Sequence, residues 1–226
     1  DNQREQDELD PNQSLSGAEF LAGSAETDFT LLVLGSRAQP ATIDPAWNPY
    51  WAGWTRSDRP PGSGASVHHP SADEKSIALF DRPLNPTSVR DGRIDVQVWE
   101  VVWSQGTTEP GSSGSGIFGA DGLLRGQLYG GDASCSTPNA PDYYGRFDLA
   151  WDSIQAVDRQ LAFWLDPLGA DPESLEGFSD PSTGPPPPLT GGAGGGGGGS
   201  GAPGPAWLLL MALFMLLPSV RVNTLG

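Results

Sequence analysis

The sequence predicts an all-β fold, and three observations carry that expectation. Apolar runs are short (Phe29 to Leu34, Ser76 to Phe80, Ile94 to Trp103, Leu123 to Tyr129), and clusters of Gly, Pro and Asp separate them. Val96 and Val98 alternate with polar neighbours, as residues of a half-buried strand do. Asp121-Gly122 lies between two apolar runs, a strong short-range signal for paired strands. Strands this short at this spacing fit a barrel or a sandwich.

In chain order, residues 1–14 are polar and acidic and supply no core, and the strand-like runs begin near Ala18. Tryptophans at 47, 51, 54, 99 and 103 read as packing residues, because an indole is mainly a large apolar body. Asp152 is placed to cap a helix from Ser153 to about Leu165, with Ile154, Val157, Leu161 and Trp164 on one face and Pro167 as its stop. From residue 179 the composition changes. Four prolines at 185–188 and six glycines ahead of Ser200 cannot bury enough apolar surface to fold, so 179–205 is expected to be a disordered linker. Residues 206–226 form a hydrophobic C-terminal segment, apolar without interruption from Ala206 to Leu217 and followed by Arg221. That stretch is short against the ~20 residues of a full membrane span. A lone helix on a glycine tether has no core to join.

A folded part ending at residue 178 is long enough for one domain with a sizeable core. The net charge of −16 opposes nucleic-acid binding, which needs the opposite sign. It fits a solvated, soluble surface.

The chemistry-bearing segment is Gly111-Ser112-Ser113-Gly114-Ser115-Gly116. A serine ringed by glycines leaves room for an incoming carbonyl and for N–H groups that hold the oxyanion formed on attack. A flexible Gly-Ser loop is the plainer reading of such a run. The hairpin signal that follows at Ile117 to Gly131 places Ser113 on a tight loop between ordered strands instead. Position 115 is Ser, so the G-x-S-x-G elbow of α/β-hydrolases does not match.

Taken together, several segments resemble the trypsin-like serine peptidases of the bacterial lysyl endopeptidase type. They are Asp28-Phe29-Thr30-Leu31-Leu32, Trp51-Ala52-Gly53-Trp54, His68-His69-Pro70, Gly111 to Ser115, Gly126-Gln127-Leu128-Tyr129-Gly130-Gly131, Ser134-Cys135, Asp142 to Phe147 and Trp164-Leu165-Asp166-Pro167. The resemblance covers about residues 15 to 178. It implies a double β-barrel, of which this chain holds the last strands of the first barrel and all of the second, with a C-terminal helix. Residue by residue, it implies Ser113 as nucleophile and Asp28 as the carboxylate that orients the catalytic histidine. The oxyanion hole falls to the amides of Gly111 and Ser113, and Asp142 is the anion at the base of a pocket for a basic side chain. Tyr129, Gly130 and Gly131 are the strand that pairs with substrate. Tyr129 stands where the type enzymes carry His, a departure that bears on the choice between Lys and Arg.

The family's general base is a histidine ahead of the aspartate, yet no histidine precedes Asp28. The chain is therefore expected to be a C-terminal fragment that begins after that histidine and is inactive by itself. Two alternatives stay open. His68 or His69 as base gives the order Asp, His, Ser, which an unrelated serine-protease fold uses. A catalytically dead relative would act as a surface binding module. A metal site at His68, His69, Asp73 and Glu74 is disfavoured, since adjacent histidines point apart and no second ligand pair follows. No metal or cofactor is expected.

Cys135 is the chain's one cysteine, and the resemblance implies a disulfide to a partner outside the sequence, against the alternative of a free buried thiol. The tail resembles the Gly-Gly C-terminal sorting signals of Gram-negative bacteria. That implies a secreted or surface-delivered protein cut by a rhomboid-type protease, with a retained membrane anchor as the alternative. The function expected from the sequence is a secreted serine endopeptidase acting on proteins or peptides after Lys, with Arg as the second choice.

Overall fold

A computed structural model describes residues 13–179. The expected linker and hydrophobic tail lie outside the described residues. Strands β1 (Ala18–Ser24) and β2 (Phe29–Leu34) form an antiparallel hairpin of their own. The short β3 (Tyr50–Trp51) and β4 (Trp54–Thr55) follow. The main sheet is built from β5 (Gly64–His68), β6 (Ser76–Phe80), β7 (Asn85–Asp91), β8 (Ile94–Val101), β9 (Gly116–Gly119), β10 (Leu124–Gly131) and β11 (Asp142–Arg146). Two-residue strands β12 (Ser174–Leu175) and β13 (Phe178–Ser179) return to pair with β4 and β3.

The main sheet runs β6-β5-β9-β10-β11-β8-β7. The chain just after β8 reaches back to β6, where the Leu79 amide donates to Gln105 O at 2.8 Å and the Ser104 amide to Leu79 O at 2.8 Å. That bridge closes β5, β6, β8, β9, β10 and β11 into a barrel, which leaves no open edge at β6. Ala78, Phe80, Trp99, Val101, Trp103, Ile117, Leu128 and Tyr144 fill it as one buried cluster. From β8 the cluster takes Trp99 and Val101, with Trp103 just beyond the strand, while Val96 and Val98, on the other face of β8, are buried outside it. The fold is the all-β barrel that the sequence predicts, and β1–β2 stand beside it as a separate two-stranded sheet.

A second cluster joins the hairpin to the barrel's outside. Ala22 and Phe29 meet Trp54, Phe147, Ala150, Trp151 and Leu161. The rings of Trp54 and Trp151 lie 4.8 Å apart and those of Trp54 and Phe147 5.3 Å apart, contacts worth about 0.5–1.5 kcal/mol beyond area burial. Trp54, Trp99 and Trp103 are buried as expected, whereas Trp51 is exposed and stacks only on Phe178.

The single helix expected from Ser153 to Leu165 is absent. Two short helices, α1 (Phe147–Asp152) and α2 (Leu161–Leu165), are separated by a 3-10 turn at Val157–Arg159, and Asp152 ends α1 instead of capping a following helix. Side chains take the carbonyls that a continuous helix needs. Gln160 Nε2 donates to Asp152 O at 2.9 Å and Ile154 O at 2.7 Å, and Trp164 Nε1 donates to Asp158 O at 2.8 Å. Val157, assigned to the apolar face, is exposed. Among the described residues no helix is long and apolar enough to cross a membrane.

Candidate active site

Ser113 sits on a tight loop between the end of β8 and β9. The Ser112 amide donates to Glu109 O at 3.0 Å and the Ser115 amide to Ser112 O at 3.1 Å, which coils the loop. The Gly114 amide donates to Leu128 O at 2.8 Å, which pins its far end to β10. Gly111 at φ 99° and Gly114 at φ 83° occupy backbone that side chains disfavour, so the loop needs its glycines. Ser113 is exposed, and its hydroxyl has no hydrogen-bond partner among the described residues. The amides of Gly111 and Ser113 likewise donate to no acceptor there, while Ser112, Gly114 and Ser115 all do. Two unspent N–H groups flanking an exposed serine are the donors that a developing oxyanion requires.

Asp28 ends the turn between β1 and β2. It is a non-glycine residue in left-handed backbone, φ 47°. Gln127 of β10 holds that turn, its Nε2 donating to Thr27 O at 3.1 Å and Asp28 O at 2.7 Å. Gly145 across the sheet makes room, since a Cβ there would stand 2.2 Å from Thr27 O. Neighbouring residues of one strand thus hold both pieces, Gln127 the Asp28 turn and Leu128 the Ser113 loop.

Burial raises the Asp28 carboxyl to a pKa of about 6, and the negative charge of Asp91 adds to the shift. Because the folded value lies above the unfolded one, the stabilising contribution is complete below pH 3.8 and is lost as pH rises through about 6. This chain is expected to lose thermal stability between about pH 4 and pH 7, and Asp28→Asn is expected to remove most of that fall. Melting curves across the interval check it, and an unchanged slope in the variant would refute it.

Tyr129 follows Leu128 at a register shift in the β10–β11 pairing. Burial raises its phenol pKa, with Asp91 and Asp28 contributing, so it stays protonated beside two carboxylates. Gly130 and Gly131 pair with β11 on one side, while β9 reaches only as far as Gln127 on the other. Among the described residues no strand pairs with the edge at Tyr129–Gly131 on that side.

Asp142 opens β11 and is 1% exposed. Trp103 Nε1 donates to its Oδ2 at 2.7 Å and Thr108 Oγ1 at 2.6 Å. Its Oδ1 has no hydrogen bond among the described residues, and a Cβ on Gly131 would stand 2.2 Å from it. No cation pairs with Asp142 among the described residues. Both donors to Asp142 are neutral, and glycine at 131 leaves the space beside Oδ1 that a side chain would fill.

His68 does not serve Ser113. Its ring is buried with Nδ1 2.9 Å from Ser112 Oγ, while His69 is exposed and bonded through Nδ1 to Asp73 O at 3.1 Å. Among the described residues no group of three or more His, Cys, Asp and Glu is placed to hold a metal. Cys135 is exposed and unpaired there, contrary to a buried thiol. Its amide donates to Glu109 Oε1 at 2.6 Å, which keeps the Glu109 carboxyl below its ordinary pKa and ties the Cys135 loop to the Ser113 loop. A hollow lined by Glu26, Thr27, Asp95, Gln97, Ser153 and Arg159 shares only the Thr27 turn with this region.

The contacts of Gln127 with the Asp28 turn, of Thr108 and Trp103 with Asp142 and of His68 with Ser112 were not read from the sequence. Gln127 lies inside a recognised motif, but its bond to a turn about a hundred residues away leaves no local signature.

Comparison with known proteins places the chain. The family model for the lysyl endopeptidase C-terminal domain matches residues 1–145. A lysyl endopeptidase of Pseudomonas aeruginosa is 32% identical over 155 residues, which are 63% of this chain and 31% of that protein. The chain therefore spans about a third of that curated relative's length. Among solved structures, an inactive form of a mutant Rv3671c from M. tuberculosis aligns with TM-score 0.39 and 10% identity over 59% of this chain and 61% of that one. On the family match, this chain belongs to the lysyl endopeptidase C-terminal domain family.

Proposed function

We propose that this chain carries the nucleophile, the orienting aspartate and the specificity pocket of a serine endopeptidase that cleaves after basic residues. One observation carries the proposal: β10 holds the Asp28 turn through Gln127 and the Ser113 loop through Leu128, beside two unspent amides. Ser113 Oγ attacks the scissile carbonyl carbon and passes its proton to an imidazole. The oxyanion rests on the amides of Gly111 and Ser113. The C–N bond breaks as the imidazole returns the proton to the leaving amine, and water then hydrolyses the acyl-enzyme by the same route. The imidazole comes from outside these 226 residues, because His68 is spent on Ser112 and His69 on Asp73. Asp28 fixes that imidazole and stabilises its cation. With a pKa near 6, Asp28 is mostly ionised above pH 7, as the task requires.

Asp142 selects the side chain. A substrate ammonium or guanidinium supplies the counter-charge that the buried carboxylate lacks, which favours Lys and Arg over neutral residues. A panel of chromogenic peptides differing only in the residue before the scissile bond, tested on the full gene product, checks this. Turnover confined to Lys and Arg supports it, and equal turnover of Leu or Glu peptides refutes it.

The tail of residues 206–226 is proposed to be a sorting signal removed by a rhomboid-type protease during delivery to the cell surface. Mass spectrometry of the mature C-terminus is expected to find no peptide containing Leu208 to Leu217. Such a peptide in the mature protein would contradict cleavage.

A further inference from the structure

The nucleophile loop is held from behind by one buried imidazole. His68, the last residue of β5, is 2% exposed and Ser112 is 1% exposed, with Nδ1 and Oγ 2.9 Å apart. The Glu109 amide already donates to the same Oγ at 3.3 Å, so the Ser112 hydroxyl has its own proton to give to the ring. No other acceptor for that proton stands near Ser112 Oγ among the described residues, so Nδ1 is assigned as acceptor and the ring proton to Nε2. Burial lowers the imidazole pKa against the opposing pull of Asp142, with His69 adding to the lowering, and the neutral ring is the form that can accept.

The other ring nitrogen makes the arrangement informative. Nε2 is buried and has no partner among the described residues. An orphaned buried donor is costly, and a leucine of similar size would avoid it. The gain from imidazole therefore lies at Nδ1, in the bond to Ser112.

Ser112 stands between the two residues whose amides face the developing oxyanion. The peptide plane on its C-terminal side carries the Ser113 amide, so fixing Ser112 fixes that donor directly, whereas the Gly111 amide lies one plane further back, in the bond to Pro110. Gly111, at φ 99°, adds no stiffness of its own. The backbone bond from Gly114 to Leu128 O secures the far end of the loop on β10. The His68 contact secures its inner edge on β5, the strand on the other side of β9.

We propose that His68 is a positioning residue for the oxyanion hole, acting through Ser112 Oγ on the adjoining amide of Ser113 without touching substrate. The proposal rests on the reading of Ser113 as nucleophile. It concerns a different event from proton transfer, because the ring never exchanges a proton with the reacting atoms.

The test measures kcat and KM separately for the full gene product and its variants. His68→Leu is expected to lower kcat by about 30- to 100-fold with KM within about twofold, since the loss falls on a donor used in the transition state. His68→Asn, whose Oδ1 can stand near the Nδ1 position, is expected to recover about tenfold of that loss. Packing alone would reverse the ranking, because Leu fills the space better than Asn. Ser112→Ala removes a single oxygen, which keeps the test open if the leucine variant does not fold. It should match the loss in His68→Leu, and the double variant should lose no more than either alone. A His68→Leu enzyme with unchanged kcat, a Leu variant faster than the Asn variant, or additive losses in the double variant would each overturn the proposal. Failure of the parent protein to turn over any peptide would instead bring down the reading beneath it.

Discussion

Replacing Ser113 with alanine in the full gene product is expected to lower kcat by about 10⁴-fold or more while peptide affinity changes little. The exposed hydroxyl is the only atom removed, and nothing in the barrel depends on it, because Ser113 Oγ has no hydrogen bond among the described residues. The rate left over would come from the oxyanion donors and substrate positioning, as it does when one member of a triad is deleted. The adjacent Ser112 gives an internal control. Ser112→Ala removes the same atom one residue away and is expected to leave measurable turnover, so any assignment of the nucleophile to Ser112 predicts the opposite ranking. Progress curves on a single basic peptide, with the folded fraction of each variant checked by melting, are enough to read this.

Asp142→Asn is expected to lower kcat/KM on Lys and Arg peptides by about 10²- to 10³-fold and to leave neutral peptides unchanged or better. Removing one partner of a desolvated charge pair costs roughly 2–5 kcal/mol, and about 1.4 kcal/mol is a factor of ten. Asparagine retains an oxygen for Trp103 Nε1 and Thr108 Oγ1, so the fold is expected to survive. Asp142→Ala strands both donors in the barrel and is expected to cost stability as well. A drop of equal size for every peptide would place Asp142 in the scaffold and not in the pocket.

Much of the barrel was legible in the sequence because its strands obey one simple rule. Runs at Phe29 to Leu34, Ser76 to Phe80 and Ile94 onward became β2, β6 and β8 at nearly the expected bounds, and the Asp121-Gly122 signal became the turn from β9 to β10. A strand packed on one face writes its burial into every second residue. The helix after Asp152 was misread because apolar spacing records only which side could be buried. It does not show that Gln160 and Trp164 would take the carbonyls needed to continue the helix.

The candidate site divides the same way. The loop at Gly111 to Gly114 shows in the sequence because backbone at positive φ demands glycine. The Asp28 and Asp142 positions came through resemblance, since one aspartate in a turn or at the start of a strand looks like any other. Their physical justification appears only in three dimensions. Gln127 on the Asp28 turn, the indole and hydroxyl on Asp142, and the imidazole on Ser112 are contacts between elements far apart in the chain.

The most direct test of the central claim is to treat the full gene product with an organophosphate and locate the adduct by mass spectrometry. A single modification on Ser113, formed with parallel loss of peptidase activity and absent from an Asp28→Asn variant over the same period, is the predicted result. An active protein that remains unmodified at Ser113, or one modified elsewhere, would contradict the account.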